Sequence, residues 1–229
     1  MSKIVVIIPA FNEENAVGRV VRDIPAGKVD EVVVVNNNST DKTSEIATKE
    51  GATVLFEAEK GYGNACLKGI DYLKNQRSKP TDIVVFIDAD YSDYPEQLIN
   101  LVSPIESGKA DFVIGSRALG KREKGSMTIT QIFGNWLATS MMRLFFGANY
   151  SDLGPFRAIR YESLIALDMK DKTYGWTVEM QIKAVKHKLR YCEVPVDYRN
   201  RIGFSKISGT VKGTILAGYK IITTIFKYF

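Results

Sequence analysis

Two aspartates separated by one residue, Asp88 and Asp90, directly follow the apolar run Val84–Ile87. The run is typical of a strand buried on both faces, and carboxylates at its end add nothing to a core. Two acids at this spacing can hold one hard divalent cation, which proteins commonly share with ligand phosphates and water. The pair therefore predicts a cation and diphosphate site. The alternative is a solvated turn or a helix cap.

The elements that position this pair alternate between strands and helices over the first 115 residues. Apolar runs predict strands over residues 3–9, 32–35, 53–56, 82–87 and 110–115, with helices between them. We expect Asn12 to cap the first helix. The alternation predicts an α/β fold with a mostly parallel central sheet flanked by helices, in which ligands bind at the carboxyl ends of strands. The polar residues after strands one, two, four and five should therefore meet in one cleft.

The second half of the chain follows a different pattern. We predict a charged loop over 118–127, a helix over 129–146, a turn into a short strand over 152–160, a helix from near 178 and a strand over 189–196. A C-terminal amphipathic helix is expected over 207–229, after a main domain at 1–206. Its apolar stripe, flanked by lysines, predicts either contact with a membrane surface or a core or homodimer contact.

Composition and charge limit the classes of function. The 229 residues, 45% of them hydrophobic, suit one α/β domain. The net charge is +5, and the positive charge is concentrated from residue 183 onward, where there are ten lysines and arginines but only two acids. No basic groove with interleaved aromatic residues is present, so nucleic acid is not expected as a partner. The start has no signal-peptide pattern, and Cys66 and Cys192 lie far apart, which predicts reduced thiols and a cytoplasmic protein.

The stretch Pro9–Glu13 would present backbone N–H groups at a helix start. Glu13 disfavours a phosphate there and suits a sugar hydroxyl or a base edge, and plain capping is the alternative. Neither a Gly-x-Gly-x-x-Gly motif after the first strand nor a P-loop is present, which argues against dinucleotide and P-loop enzymes. Gly61 and Gly63 predict either close approach of a ligand or a tight turn.

Four stretches together resemble one family. They are Ile-Ile-Pro-Ala-Phe-Asn-Glu-Glu (7–14), Val-Asn-Asn-Asn-Ser-Thr-Asp-Lys-Thr (35–43), Lys-Gly-Tyr-Gly-Asn-Ala (60–65) and Ile-Asp-Ala-Asp (87–90). In order and spacing they resemble family 2 glycosyltransferases with the GT-A fold, in particular the dolichyl-phosphate mannose and glucose synthase branch. The resemblance extends from residue 3 to about 206.

The resemblance implies a nucleotide site and a cation, Mg²⁺ or Mn²⁺, held by Asp88 and Asp90. Asn37 or Asn38 stands where the family usually has an aspartate that reads the base, which leaves UDP or GDP open. The implied nucleotide-binding residues are Pro9, Ala10, Phe11, Asn12, Glu13, Asn37, Asn38, Lys60, Gly61, Asp88, Ala89 and Asp90.

The resemblance also implies a set of catalytic residues, some acidic and some basic. Arg117 would lie near the phosphates, and the loop Arg201–Lys206 would close on the phosphates of the donor and acceptor. Arg199 is a further candidate cation for an acceptor phosphate, and a solvated basic loop is the alternative. If the acceptor is a sugar hydroxyl, Asp152 or Glu179 is the first candidate for a general base. The implied catalytic residues are Asp88, Asp90, Arg117, Asp152, Glu179, Arg201 and Lys206.

The sequence therefore predicts an inverting glycosyltransferase that moves a hexose from a UDP- or GDP-sugar to a polyprenyl, dolichyl-type phosphate. Such an acceptor is already ionised near neutral pH and needs cations rather than a base. We expect a peripheral location at the cytoplasmic face of the membrane. The alternatives are a family 2 glycosyltransferase acting on a sugar hydroxyl, and a catalytically inactive sugar-nucleotide-binding protein.

Overall fold

The structure is a computed structural model that describes residues 2–76, 81–203 and 211–229. Within these residues seven strands form one sheet with helices on both faces. The strands are β1 (Ile4–Ala10), β2 (Glu31–Asn36), β3 (Thr53–Phe56), β4 (Ile83–Phe86), β5 (Phe112–Ser116), β6 (Arg157–Arg160) and β7 (Tyr191–Pro195). The helices are α1 (Val17–Asp23), α2 (Thr43–Lys49), α3 (Tyr62–Asn75), α4 (Leu98–Glu106, after a 3₁₀ turn at Pro95–Gln97), α5 (Ile129–Phe146), α6 (Tyr161–Leu167), α7 (Trp176–Lys186) and α8 (Val211–Tyr228).

The sheet is mostly parallel, as predicted. Its order is β3-β2-β1-β4-β6-β5-β7, and the one antiparallel strand is β6, which pairs with β4 and β5. β1 lies between two parallel partners, with Val6 opposite Val32 on one side and Val85 on the other. The carboxyl ends of β1, β2, β4 and β5 therefore lie at the same edge of the sheet.

Both faces of the sheet are covered, which explains why its strands are continuous apolar runs. Side chains alternate along β1: Ile4, Val6 and Ile8 pack in the core layer that holds α1 and α4. Val5 and Ile7 pack in the opposite layer, with α3, α5 and α7. The central strands β1, β4 and β5 are buried along their whole length, so the polar residues of the cleft follow the strand ends.

The helix predicted over 129–146 is confirmed at both ends. Thr128 and Gln131 form a capping box at its start, and Gly147 ends it in the left-handed conformation at φ 65°. The last helix, α8, packs against α5 through rings such as Phe145 and Phe229, whose centroids are 4.9 Å apart. No helix within the described residues is both long enough and apolar enough to cross a bilayer.

Some local predictions were wrong. Asn12 does not cap the first helix, because α1 begins only at Val17 and its N-cap is Ala16, without a side-chain cap. Asn12 instead takes φ 53°, and its Oδ1 accepts a hydrogen bond from the backbone N of Thr40 at 2.8 Å. Helix α6 was not predicted. The predicted start of the last helix, 207–210, lies outside the described residues.

Candidate active site

The acid pair lies where the sequence predicts it, at the carboxyl end of β4. Asp90 is buried, and its Oδ1 accepts a hydrogen bond from the backbone N of Ser92 at 2.9 Å. Oδ1 of Asp88 is shielded from solvent and has no hydrogen-bond partner among the described residues. A buried carboxylate oxygen without a partner is costly, so this atom is suited to receive a ligand.

The electrostatics of the pair fit a cation. Burial raises the pKa of Asp88 to about 7, and the charge of Asp90 adds to the increase, while Tyr62, Arg201 and Arg117 oppose it. Carboxylate oxygens are the ligands that Mg²⁺ and Mn²⁺ prefer. Within the described residues no group of three or more His, Cys, Asp or Glu side chains could hold a metal ion. A cation at this pair would therefore need further oxygen ligands from a phosphate or water.

A first cavity of about 320 Å³ opens beside the pair. The sequence-predicted nucleotide residues all line it except Asn12 and Asn38. On one wall the Lys60 Nζ lies 4.9 Å from the centroid of the Phe11 ring, within the range of a cation–π contact. The residues that line the first cavity are Pro9, Ala10, Phe11, Glu13, Asn37, Lys60, Gly61, Tyr62, Ala65, Asp88, Ala89, Asp90, Tyr174 and Arg201.

The two asparagines outside this lining hold loops together. Asn12 bonds to the loop after β2, as described above, and the Asn38 amide donates to the carbonyl of Ala58 at 3.2 Å. Direct contact of these two side chains with a nucleotide in the first cavity is not supported by their positions.

Asn37 reaches the first cavity, but its amide is engaged with the neighbouring loop. Its Nδ2 donates to the carbonyl of Glu59 at 2.6 Å, and its Oδ1 accepts from the backbone N of Gly61 at 2.7 Å. Asn37 therefore shapes the cavity by fixing the loop over 57–61.

The glycines at 61 and 63 are required by another loop rather than by a ligand. Gly61 has φ 145°, and a Cβ there would lie 2.2 Å from the carbonyl oxygen of Lys172. A Cβ on Gly63 would lie 2.0 Å from the carbonyl oxygen of Asp171. Because these neighbours are backbone atoms, any larger residue would push the 171–172 loop away from the start of α3.

Arg117 and Asp152 form a buried, bidentate ion pair at the end of β5. Nη2 and Nε of Arg117 lie 2.7 Å and 2.8 Å from the two carboxylate oxygens of Asp152. Burial alone would lower the pKa of Arg117, but the charge and hydrogen bonds of Asp152 raise it overall. Asp152 therefore serves to hold Arg117 as a cation, which does not support its role as a general base.

Arg201 bridges two acids that come from distant parts of the chain. Its Nη2 donates to Oε1 of Glu13 at 3.0 Å, and its Nη1 lies 3.1 Å from Oδ2 of Asp90. The backbone N of Ile202 donates to the carbonyl of Asp90 at 3.0 Å and anchors this loop. Lys206, the other basic residue predicted to act in this loop, lies outside the described residues.

Arg199 is not one of the cations of the cleft. Its guanidinium carbon lies 3.4 Å from the centroid of Tyr91, and it donates to the carbonyls of Tyr91 and Asp93. The expectation that it faces phosphates is corrected by these contacts, which fix the start of the loop to the segment after β4.

Glu179 is fully buried on α7 and lines neither the first cavity nor a second one that α5, α8 and the acid pair line. Its oxygens accept hydrogen bonds from the backbone N of Lys170 and Asp171 and from the Tyr228 hydroxyl, and Lys183 pairs with it at 2.8 Å. These bonds join α7 to α8 and to the loop before α7. The placement does not support the catalytic role predicted for Glu179.

A second cavity of about 310 Å³ shares the acid pair and Arg201 with the first. Sequence reasoning missed its tyrosines, of which only Tyr62 lay in a recognised motif. The lining residues are Tyr62, Asp88, Asp90, Arg117, Met127, Thr130, Gln131, Gly134, Asn135, Leu153, Pro155, Tyr174, Thr177, Tyr198, Arg201, Ala217, Gly218 and Ile221. The inner end of the second cavity is thus charged, whereas α5 and α8 supply largely uncharged walls.

Asp93, a buried acid close to the pair, was also missed. It is 1% exposed, and neither carboxylate oxygen has a hydrogen-bond partner among the described residues. Burial and then the charge of Asp88 raise its pKa well above the ordinary value, and Arg117 opposes the change. Burial therefore favours the protonated form of this acid beside the site.

Residues 5–167, from β1 to the end of α6, match the family model described as Glycosyl transferase family 2. The chain belongs to glycosyl transferase family 2. The match covers the strands that carry Glu13, the acid pair and Arg117, whereas Arg201 lies beyond it.

Known proteins resemble this family 2 member in fold and sequence. Glucosyl-3-phosphoglycerate synthase from Mycobacterium tuberculosis, solved with Mn²⁺, UDP and glucosyl-3-phosphoglycerate, has a TM-score of 0.77 at 22% identity, covering 99% of this chain and 80% of that one. An uncharacterised glycosyltransferase of Mycobacterium tuberculosis is 34% identical over 217 residues, 93% of this chain and 94% of its own. Undecaprenyl-phosphate mannosyltransferase of Micrococcus luteus is 30% identical over 226 residues, 92% and 90% of the two chains. The predicted GT-A fold is thereby confirmed.

Proposed function

We propose that this protein is an inverting transferase that moves a hexose from a UDP- or GDP-sugar to a polyprenyl phosphate. The observation that carries the proposal is that two cavities meet at one acid pair. The first is lined by the residues expected to bind a nucleotide. The second carries Arg117 and Arg201 beside the acid pair and has uncharged walls on α5 and α8, which suits a phosphate attached to a hydrocarbon chain.

The first cavity would hold the donor. Glu13 offers a carboxylate to the hydroxyls or base of the nucleotide, and Phe11 and Lys60 form a wall beside it. Asp88 and Asp90 would hold Mg²⁺ or Mn²⁺, which when bound supplies positive charge to the diphosphate that leaves.

In the transfer, an oxygen of the acceptor phosphate attacks the anomeric carbon of the hexose. The bond from that carbon to the diphosphate oxygen breaks, and its electron pair leaves with the nucleoside diphosphate. The attacking phosphate is already ionised near neutral pH, so no proton has to be removed. This agrees with the engagement of Asp152 and Glu179, the two candidate bases, in structural bonds.

Arg117 and Arg201 would bind the acceptor phosphate from the inner end of the second cavity. Guanidinium groups bind phosphate oxygens with directed, charge-assisted hydrogen bonds. The Micrococcus luteus relative is an undecaprenyl-phosphate mannosyltransferase, which supports an acceptor of this class. A contribution from Lys206 remains a prediction.

We further propose a peripheral contact with the cytoplasmic face of a membrane, made by α5 and α8. Both helices expose large apolar side chains, and the cations Arg143 and Lys227 are exposed among them. Such a surface binds an anionic bilayer through apolar area and charge together. The exposed apolar side chains are Ile129, Ile132, Phe133, Trp136, Leu144, Ile215, Leu216, Tyr219, Phe226 and Phe229.

The proposal is tested with purified protein, a set of UDP- and GDP-hexoses, Mg²⁺ or Mn²⁺, and a polyprenyl phosphate in detergent. We expect release of the nucleoside diphosphate from one donor and appearance of a glycosylated lipid phosphate, both abolished by a chelator. Transfer only to soluble sugar hydroxyls would overturn the acceptor assignment. Binding of donor without any transfer would make the chain a sugar-nucleotide-binding protein.

A further inference from the structure

The second cavity is lined in part by two helices, α5 and α8. α5 and α8 are in contact near their C-terminal ends, where the ring centroids of Phe145 and Phe226 are 5.6 Å apart. Nearer their N-terminal ends both helices line the cavity instead, α5 with Gly134 and α8 with Gly218. A groove therefore runs outward between the two helices at this level.

The two glycines face open space. Among the residues that the structure describes, a Cβ built on Gly134 or on Gly218 would meet no atom within 4 Å, and neither position has a positive φ. By contrast, a Cβ on Gly63 or Gly69 would collide with packed neighbours. Glycine inside a helix is less stable than alanine, so these two residues cost helix stability without allowing a closer helix contact.

The chemistry changes along the groove. Its inner end holds the guanidinium groups of Arg117 and Arg201, and its walls further out include Leu153, Pro155 and Ile221. At the rim, Phe133 is 58% exposed next to Gly134, and Tyr219 is 69% exposed next to Gly218. Two guanidinium groups beside a cation-binding acid pair, with apolar side chains elsewhere on the lining and at the rim, match a phosphate joined to a hydrocarbon chain.

We propose that Gly134 and Gly218 keep this groove wide enough for the isoprene units nearest the acceptor phosphate and so select a prenyl chain. The inference rests on the proposed function, because it assigns the path of that acceptor. A side chain at either glycine would occupy the space that the branched isoprene chain needs, while the first cavity and the acid pair would stay as they are.

The test uses a graded series at each glycine in the full chain, Gly134→Ala and Gly134→Leu with Gly218→Ala and Gly218→Leu. Ala166→Leu adds the same apolar bulk on the exposed face of α6 and serves as the matched control. The new side chains meet open space and improve helix propensity, so we expect the Tm of each glycine variant to be no lower than that of the wild type.

We expect the KM for polyprenyl phosphate to rise in the order Gly, Ala, Leu, by about tenfold or more for leucine, because contacts of several methylene groups are lost. The KM for the nucleotide sugar should change less than about twofold, since the donor lies in the other cavity. If a leucine variant does not fold, the variant with both glycines changed to alanine carries the test.

The failures of the two proposals are distinguishable. If the wild type transfers to polyprenyl phosphate and the leucine variants keep its KM, the groove assignment is overturned and the proposed function stands. An equal rise in KM for Ala166→Leu would also overturn the groove. If the wild type transfers to no polyprenyl phosphate, both fall together.

Discussion

Asp152 holds Arg117 through both carboxylate oxygens, and Oδ2 also accepts the backbone N–H of Arg117 at 2.7 Å. The pair joins the end of β5 to the loop before β6, with Asp152 1% and Arg117 11% exposed at their side chains. The guanidinium that is fixed in this way belongs to a residue that lines the second cavity.

Replacing Asp152 by Asn should destabilise the protein, because the charge of Arg117 would stay buried without a counterion. Breaking a buried ion pair from one side costs about 3–5 kcal/mol. Denaturant unfolding measures the loss, with Asp168→Asn as the control, since the Asp168–Lys170 pair is largely exposed. An unchanged midpoint for Asp152→Asn would contradict the assigned role.

Replacing Asp90 by Asn should remove the dependence of donor binding on a divalent cation. In the wild type we expect a nucleotide sugar to raise the Tm more with Mg²⁺ or Mn²⁺ than with a chelator, because the cation bridges the acid pair and the diphosphate. The variant should show the smaller shift in both conditions and lose about 100-fold or more in kcat/KM. Asp71→Asn, at an exposed acid on α3, should behave like the wild type.

Replacing Glu179 by Gln should lower stability far more than catalysis. The change removes the charge that faces Lys183 and weakens bonds to α8 and to the loop before α7, which should cost about 3 kcal/mol. Below the melting range, kcat should stay within about threefold of the wild type, because Glu179 touches neither cavity. A large fall in kcat at unchanged stability would restore the catalytic interpretation.

The stability of the protein should depend on pH because of the buried carboxyl of Asp93. The pKa of Asp93 is raised in the folded state, so the folded protein keeps a proton on this carboxyl that the unfolded chain releases. The protein therefore loses stability as the pH rises above the pKa that Asp93 has in the unfolded chain. Asp93→Asn removes this loss. The Tm of the variant minus that of the wild type should therefore be more favourable at about pH 8 than at about pH 5. A difference that does not vary with pH would contradict the raised pKa of Asp93.

The first five strands along the chain and the cleft at their carboxyl ends were predictable because a parallel sheet covered on both faces needs continuous apolar runs, and these are visible in the sequence. Asp88, Asp90 and Glu13 could be placed in the cleft for the same reason. The antiparallel insertion of β6 and the short helix α6 were not predictable, because short segments carry little periodic signal and depend on the strands that flank them.

The sequence by itself determined which residues reach the edge of the sheet, since strand ends and side-chain types are local properties. Only the tertiary structure decided what each of them does there. Arg201 meets Glu13 and Asp90 across 188 and 111 positions of the chain, and Asn37 and Asp152 are committed to neighbours rather than to a ligand. Partners, burial and pKa values depend on residues that are distant in sequence, so they arise when the chain folds.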